Sequence, residues 1–275
     1  MTKPQLIDKS RLVQLVRERI AAKDDFWEEE MNNDLKLAEE ADQVCKSMFE
    51  DEAQLDRLLI ARKYNASKTR DLFFDQVRFR ARVRPTQIDP SGIANALFSG
   101  AWRLCGYTKD GHVMSNYKLE HWNPDNYSQG DSANLEDAVQ EYTLYTTYMI
   151  ELMIASMKPP HDKFVVIFDL KGFYLSMVTK TNVRLMIRKL IYIAQAQYPE
   201  RLHKVYLVNA PFGFETAWKL IRPLLDERTA VKIQFANQES IAEDVDPSVL
   251  SVTYGGLHEE YPIPSKSIHE EAYKS

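Results

Sequence analysis

The chain has 275 residues, 44% of them hydrophobic and 27% charged, with a formal net charge of -5 at pH 7. That composition is ordinary for a folded protein and excludes bulk disorder, while the negative balance argues against a general binder of nucleic acid. The length suits one domain with a helical annex, and the two cysteines, Cys45 and Cys105, offer neither a disulfide framework nor metal-ligand spacing, as in a reducing compartment.

The N-terminal run MTKPQLIDKSRL has no apolar core of a secretory signal, and no stretch approaches the roughly 20 apolar residues that span a bilayer, so a cytosolic protein is expected. Residues 1 to 84 read as amphipathic helices. One apolar stripe runs over Leu12, Val13, Leu15, Val16 and Ile20. A second begins at Leu35 and continues through Ala41 and Met48, and a third takes in Leu55, Leu58, Leu59, Leu72, Phe73 and Val77, until Pro85 ends the pattern. Charge swings along this region. From Asp24 to Asp56 it is acidic, and from Arg57 to Arg84 it is basic, a local cationic surface that suits a phosphorylated headgroup or an anionic membrane. Arg78, Arg80, Arg82 and Arg84 cannot share one helix face, because alternate residues lie about 200° apart, so solvated side chains near a helix end are the preferred reading over a membrane-facing row.

Residues 86 to 160 carry helical segments, Ile93 to Trp102 and Leu135 to Met157, with turn signals such as Lys109-Asp110-Gly111 between them. The unbroken apolar run Phe164 to Phe168 predicts a strand buried on both faces. A helix from about Val178 to Gln197 follows, then a strand at Lys204 to Asn209, a helix from Phe212 to Leu225 and a strand at Val231 to Phe235. Strand, helix, strand, helix, strand is the pattern of a parallel α/β sheet. The apolar face of the Phe212 to Leu225 helix is unusually aromatic, and Gly213 gives backbone freedom near its start. Pattern alone favours an ordinary covering helix; the rival reading is a movable lid over an apolar cavity. Tyr254-Gly255-Gly256 reads as a flexible turn before a polar tail.

The run YPERLHKVYLVNAPFGFETAW, with FDLKG at Phe168 to Gly172 and ARKYN at Ala61 to Asn65, resembles the Sec14-like (CRAL-TRIO) family of lipid-binding and lipid-transfer proteins, in the right order from about Leu35 to Gly256. The resemblance implies a helical N-terminal subdomain over residues 1–84 and a lipid-binding domain over 85–260, with a largely parallel sheet floor and a gating helix. A polar tail takes up 261–275. It implies a cavity and gate built from Phe212, Phe214, Ala217, Trp218, Ile221, Leu224 and Leu225. In phosphatidylinositol-binding members the headgroup site matches Arg62, Lys63, Glu200 and Lys232 of this chain, with Thr229 near the phosphate. Members that also take phosphatidylcholine carry small hydroxyl residues where this chain has Phe164 and Val166. Tyr142 retains one aromatic of that site, and the aromatic expected after Gly111 is replaced by His112, Val113, Met114 and Ser115. A choline phosphate buried against Phe and Val would be left unsatisfied, so poor binding of phosphatidylcholine is expected, with a sterol or another hydrophobic ligand as the alternative. Haem-binding relatives use a Tyr and a His where this chain has Phe168 and Leu170, so no haem is expected.

No phosphate-binding glycine loop, nucleophile elbow or zinc-protease motif is present. The six histidines, at 112, 121, 161, 203, 258 and 269, show no ligand spacing, and His203 beside a strand reads as a capping or surface residue. The resemblance therefore implies a monomeric, non-enzymatic phosphatidylinositol-binding and transfer protein. It would use no metal or cofactor and visit membranes transiently, with a phosphoinositide kinase as a candidate partner. A lipid-sensing module without net transfer is the remaining alternative.

Overall fold

The computed structural model describes residues 35–127 and 135–261, together with Gln14 and Glu18. The stripe expected at Leu12 to Ile20 and the tail beyond Tyr261 lie outside the described residues. The chain divides into two compact units, Met1–Arg84 with Ala196–Glu200, and Pro85–Gln195 with Arg201–Ser275.

The first unit contains helices α1 (Leu35–Glu50), α2 (Glu52–Ala61) and α3 (Ala66–Val83). Short polar residues start the last two. The Asp51 carboxylate accepts the Gln54 N–H and the Asn65 amide oxygen accepts that of Lys68, each satisfying a helix-end donor worth about 1 kcal/mol. Leu55, Leu58, Leu59, Leu72, Phe73 and Val77 are buried in one core with Ala196. A buried polar chain crosses that core: Arg57 donates to Gln54, Gln54 to Gln76 at 2.6 Å, and Gln76 to the Ala196 carbonyl at 2.6 Å. Three of the four alternate arginines go separate ways, as a helix requires. Arg80 lies over the Tyr198 ring, Arg78 is 4.0 Å from Asp75, and Arg84 takes a left-handed cap and pairs with Glu40 at 2.7 Å.

The second unit is built on a five-stranded sheet in the order β1 (Trp102–Tyr107), β2 (Val113–Lys118), β3 (Phe164–Asp169), β4 (Leu202–Val208), β5 (Ile233–Phe235). β1 and β2 form an antiparallel pair, and the other neighbours run parallel. The first two strands correct the helical reading of residues 93 to 102. Only Ala94–Phe98 (α4) is helical there, and Trp102 opens β1. β2 gives no periodic signal because all six of its residues are buried, polar ones included. Its polar side chains are bonded instead: Ser115 accepts from Trp102 Nε1 at 3.0 Å, and Lys118 pairs with Glu260 at 2.6 Å.

α5 (Leu135–Ala155) precedes β3, and α6 (Thr181–Tyr192) joins β3 to β4, running on into a π-helical turn, Ile193–Gln197. The expected helix from Phe212 to Leu225 is shorter. α7 spans Phe214–Ile221 and tightens into a 3-10 turn at Arg222–Leu224, because Pro223 has no N–H to give the carbonyl four residues back. α8 (Glu227–Ala230) and α9 (Gln238–Asp244) flank β5.

Val165 and Ile167 of β3 pack with Tyr206 and Val208 of β4 in a core that includes Ile241, Val245, Leu250 and Tyr254. The alternate residues of both strands face the opposite side of the sheet. Tyr254 belongs to that core, and Gly255-Gly256 after it form a hydrogen-bonded turn. Gly255 has φ 87, its N–H bonds Val252, and a Cβ at Gly256 would stand 1.8 Å from the Leu250 carbonyl oxygen.

Candidate functional site

The side of the sheet left by those alternate residues is hollow. Phe164, Val166 and Phe168 of β3 line a cavity with Leu202, Val205 and Leu207 of β4. Leu202 and Val205 share a face although three positions apart, because the β3–β4 register shifts between Phe164 and Val165, leaving His203 as the extra residue of a bulge. α6 contributes Val183, Ile187, Leu190 and Ile191, α5 contributes Tyr142 and Ile150, and the atom-free space, open mouth included, is about 1330 Å³. Among the described residues no charged side chain lines it. Polarity there is limited to Gln195, Thr229, the hydroxyls of Tyr117 and Tyr142 and the indole N–H groups of Trp102, Trp122 and Trp218.

α7 closes part of this space. Phe214, Trp218 and Ile221, with Leu225 just beyond, face the cavity, and Ala217 is fully buried. Phe214 meets the ring of Phe173 edge-on at 5.0 Å, and Trp218 meets that of Phe235 at 6.1 Å. Phe212, Ala217 and Leu224, expected among the cavity and gate residues, are not among the lining side chains. Phe212 is fully exposed ahead of the helix, and Leu224 sits 38% exposed on the 3-10 turn. Gly213, at φ 87, joins Phe212 to the helix with no neighbour within 4 Å of a notional Cβ.

The three residues expected at an altered second-ligand position, Tyr142, Phe164 and Val166, are all buried and all line the cavity. Tyr142 stands among Tyr127, Trp122 and Tyr145, at ring distances of 5.4, 5.9 and 6.5 Å. Burial pushes its phenol up to about 12, so it remains a neutral donor at physiological pH. Tyr117 stacks on Phe168 at 4.8 Å. The sequence reading missed Trp102 and Tyr117, since their strand pair gave no signal, and Trp122, which follows the 3-10 turn Leu119–His121 after β2.

The residues matched to a headgroup site fall in both units. Arg62, Lys63 and Glu200 belong to the first, Thr229 and Lys232 to the second. Lys63 and Glu200 both take left-handed backbone, φ 50 and φ 60, uncommon for side chains of this kind. For Lys63, just past the end of α2, such a conformation is a usual helix terminator. Thr229 lines the cavity and bonds Asp226, the cap of α8, while Lys232 reaches the Leu202 carbonyl at 2.8 Å.

Away from the cavity the fold brings three histidines together. His112, just before β2, stacks on His203 of β4 at 4.0 Å and meets His161 edge-on at 4.9 Å. Among the described residues no cluster of His, Cys, Asp and Glu could hold a metal ion, and no helix is long and apolar enough to cross a membrane.

The family model for the CRAL/TRIO domain matches residues 97–256. The SEC14 cytosolic factor of Candida glabrata is 33% identical over 128 residues, which cover 46% of this chain and 42% of that protein. SFH7 of Arabidopsis thaliana, described as a phosphatidylinositol/phosphatidylcholine transfer protein, is 24% identical over 245 residues, 83% of this chain and 45% of its own. The phosphatidylinositol transfer protein CSR1 of Eremothecium gossypii is 27% identical over 206 residues, 70% of this chain and 44% of its own. The chain thus spans less than half the length of these curated relatives. Among solved structures, the crystal structure of Sfh5 superposes with a TM-score of 0.59 over 97% of this chain and 93% of that one, at 16% identity, a likeness of fold alone.

Proposed function

The chain belongs to the CRAL/TRIO domain family, and from that premise we propose that it binds phosphatidylinositol, buries the acyl chains in the cavity behind α7, and exchanges the lipid at membrane surfaces. The observation that carries this reading is the cavity wall, which is hydrocarbon and aromatic apart from a few neutral polar groups. Each buried CH2 is worth about 0.8 kcal/mol, so some thirty of them, about 25 kcal/mol in all, forbid release into water. Exchange therefore needs an opened gate against a bilayer, and α7 with the exposed Phe212 is the element we assign to that step.

The headgroup is assigned to Arg62, Lys63, Glu200, Thr229 and Lys232, on their match to phosphatidylinositol-binding members. The three cations suit a phosphate, with the Thr229 hydroxyl near it, and the Glu200 carboxylate suits inositol hydroxyls. The left-handed backbone at Glu200, which follows no α-helix end, supports a residue held for a purpose. Phosphatidylcholine is expected to bind poorly, since Phe164 and Val166 present no hydroxyl to its phosphate. Substrate turnover forms no part of this reading. Supply of the lipid to a phosphoinositide kinase in the cytosol is its natural extension.

The deciding experiment is mass spectrometry of lipid extracted from the purified protein, run beside vesicle transfer of labelled phosphatidylinositol and phosphatidylcholine. Phosphatidylinositol is expected in the extract, its transfer abolished in a Glu200→Ala, Lys232→Ala double variant, with little phosphatidylcholine transfer by either protein. A wild type that carries and moves no phosphatidylinositol would refute the assignment.

A further inference from the structure

We propose that the buried carboxylate of Asp169 is the latch of α7, holding the helix closed by gripping Asn209 at the root of the arm that leads into it. The inference rests on reading α7 as the gate of a lipid cavity and adds the device that sets how often the gate opens.

Asp169 ends β3 and is fully buried. Neutral donors satisfy it. Its Oδ1 accepts the Lys171 N–H at 3.0 Å and the Asn209 side-chain amide at 2.8 Å, and its Oδ2 accepts the Tyr254 hydroxyl at 3.2 Å. Burial, followed by the charge of Asp169, raises the Tyr254 phenol, which therefore stays a donor. The two bonds on Oδ1 join different parts of the fold. Lys171 belongs to a turn fixed against Leu119–His121: its ammonium pairs with Glu120 at 3.0 Å, and a Cβ at Gly172 would stand 2.9 Å from the Glu120 Cα. Asn209 begins the arm, residues 209–213, that runs from β4 to α7.

That arm is tied to the sheet at its root. The Leu170 N–H bonds the Val208 carbonyl at 2.9 Å where β3 and β4 end, and the Asn209 side chain is the next tie across. Past it, the arm's hydrogen bonds among the described residues run forward into α7, with the Phe214 N–H on the Pro211 carbonyl and the Thr216 N–H on the Gly213 carbonyl. Left-handed backbone brackets the arm, at Asn209 with φ 54 and Gly213 with φ 87, a conformation that Asn and Gly adopt at least cost. A short segment between two such residues can swing once the side-chain tie is released. The tie also differs in kind from the apolar contacts on α7. Phe214 against Phe173 and Trp218 against Phe235 can be exchanged for lipid chains when the helix meets a bilayer. The Asn209 bond cannot, since hydrocarbon offers no donor to a carboxylate. Opening against a bilayer therefore still breaks one charge-assisted hydrogen bond.

The test compares the purified full chain with Asn209→Gly, which deletes the amide and keeps a residue at ease with left-handed backbone. Ala210→Gly is the control, adding backbone freedom to the arm with the latch intact. Two rates are read: vesicle transfer of labelled phosphatidylinositol, and amide hydrogen exchange over α7 in the lipid-free protein. Asn209→Gly is expected to speed both roughly fivefold, the factor that one hydrogen bond's net contribution supplies, while Ala210→Gly stays close to wild type. In an Asp169→Asn background, where the carboxylate is gone, Asn209→Gly is expected to add nothing. An Asn209 that is merely structural would lower the melting temperature and leave both rates as in the control, which overturns the proposal. A full Asn209→Gly effect in the Asp169→Asn background overturns it too. Should Asp169→Asn fail to fold, the comparison of Asn209→Gly with Ala210→Gly decides. If the wild type moves no phosphatidylinositol, the lipid reading fails and hydrogen exchange over α7 decides the latch; if it does and Asn209→Gly changes neither rate, the latch alone fails.

Discussion

On the proposed reading, single side chains decide which lipid headgroup the cavity tolerates. Replacing Phe164 by Ser and Val166 by Thr restores two hydroxyls to the β3 face of the cavity, and phosphatidylcholine transfer is expected to rise severalfold in the double variant. Without lipid the two buried hydroxyls should cost about 1–3 kcal/mol each, readable as a lower denaturation midpoint in urea. These positions were legible in the sequence, because a single-residue match within an unbroken apolar strand fixes which side chains alternate. The histidine group was not. His112, His161 and His203 are far apart in the chain and meet only because β2, β3 and β4 lie side by side in parallel register with their starts together. Burial, followed by its neighbour His161, holds His112 below the usual histidine value of 6.5, and burial, then His112, does the same for His203. Asp110, Lys163, Lys204 and Asp244 are the charged groups around them. The unfolded chain therefore takes up these protons at higher pH than the folded one, and stability declines as pH falls through about 6.5 to a lower plateau beneath the folded values. The melting temperature is expected to drop between about pH 7.5 and pH 5.5, and His112→Gln to flatten that drop. Asp244 and Glu260 act in a separate, more acidic window. Burial alone would raise each carboxyl, but bonds from Lys204 and Tyr206 to the first and from Lys118 and Thr253 to the second outweigh it and leave both below their usual values.

At the scale of an element, α7 combines a leading glycine in left-handed backbone, an aromatic inner face and an exposed residue ahead of it. Gly213→Ala puts a side chain at φ 87 with open space around it, so backbone strain alone should cost about 1 kcal/mol, measured by thermal unfolding. Phe212→Asp touches nothing in the fold and should change stability by less than about 0.5 kcal/mol, yet it should slow vesicle transfer severalfold if that ring enters the bilayer. Most of α7 was readable from its apolar spacing, and its end was misread only because Pro223 was passed over. The β1–β2 hairpin was unreadable for a deeper reason. β2 has neighbours on both sides and cover on both faces, so Ser115, Asn116 and Lys118 are buried with bonded partners and leave neither an alternating nor an apolar pattern. The turn at Gly111, φ 90, was the one surviving trace.

For the whole molecule, a ligand that fills the cavity adds to the folding free energy. At a lipid concentration a hundredfold above the dissociation constant the gain is about 2.7 kcal/mol, a rise in melting temperature of roughly 5 to 10 °C for a chain of this size. Stripping the protein of lipid and reloading it with phosphatidylinositol should reproduce that difference by scanning calorimetry. If the chain carries lipid as proposed, it must also pass through an emptied state that exposes apolar surface, and the two borders of the sheet bear on what happens then. β1 is interrupted between Leu104 and Gly106, and β5 is only three residues long. A bulged border and a truncated one are both poor templates for a strand from another molecule. Sheet extension is thereby discouraged at the moment the interior is least protected, so a lipid-free intermediate can wait for its next cargo without seeding aggregates.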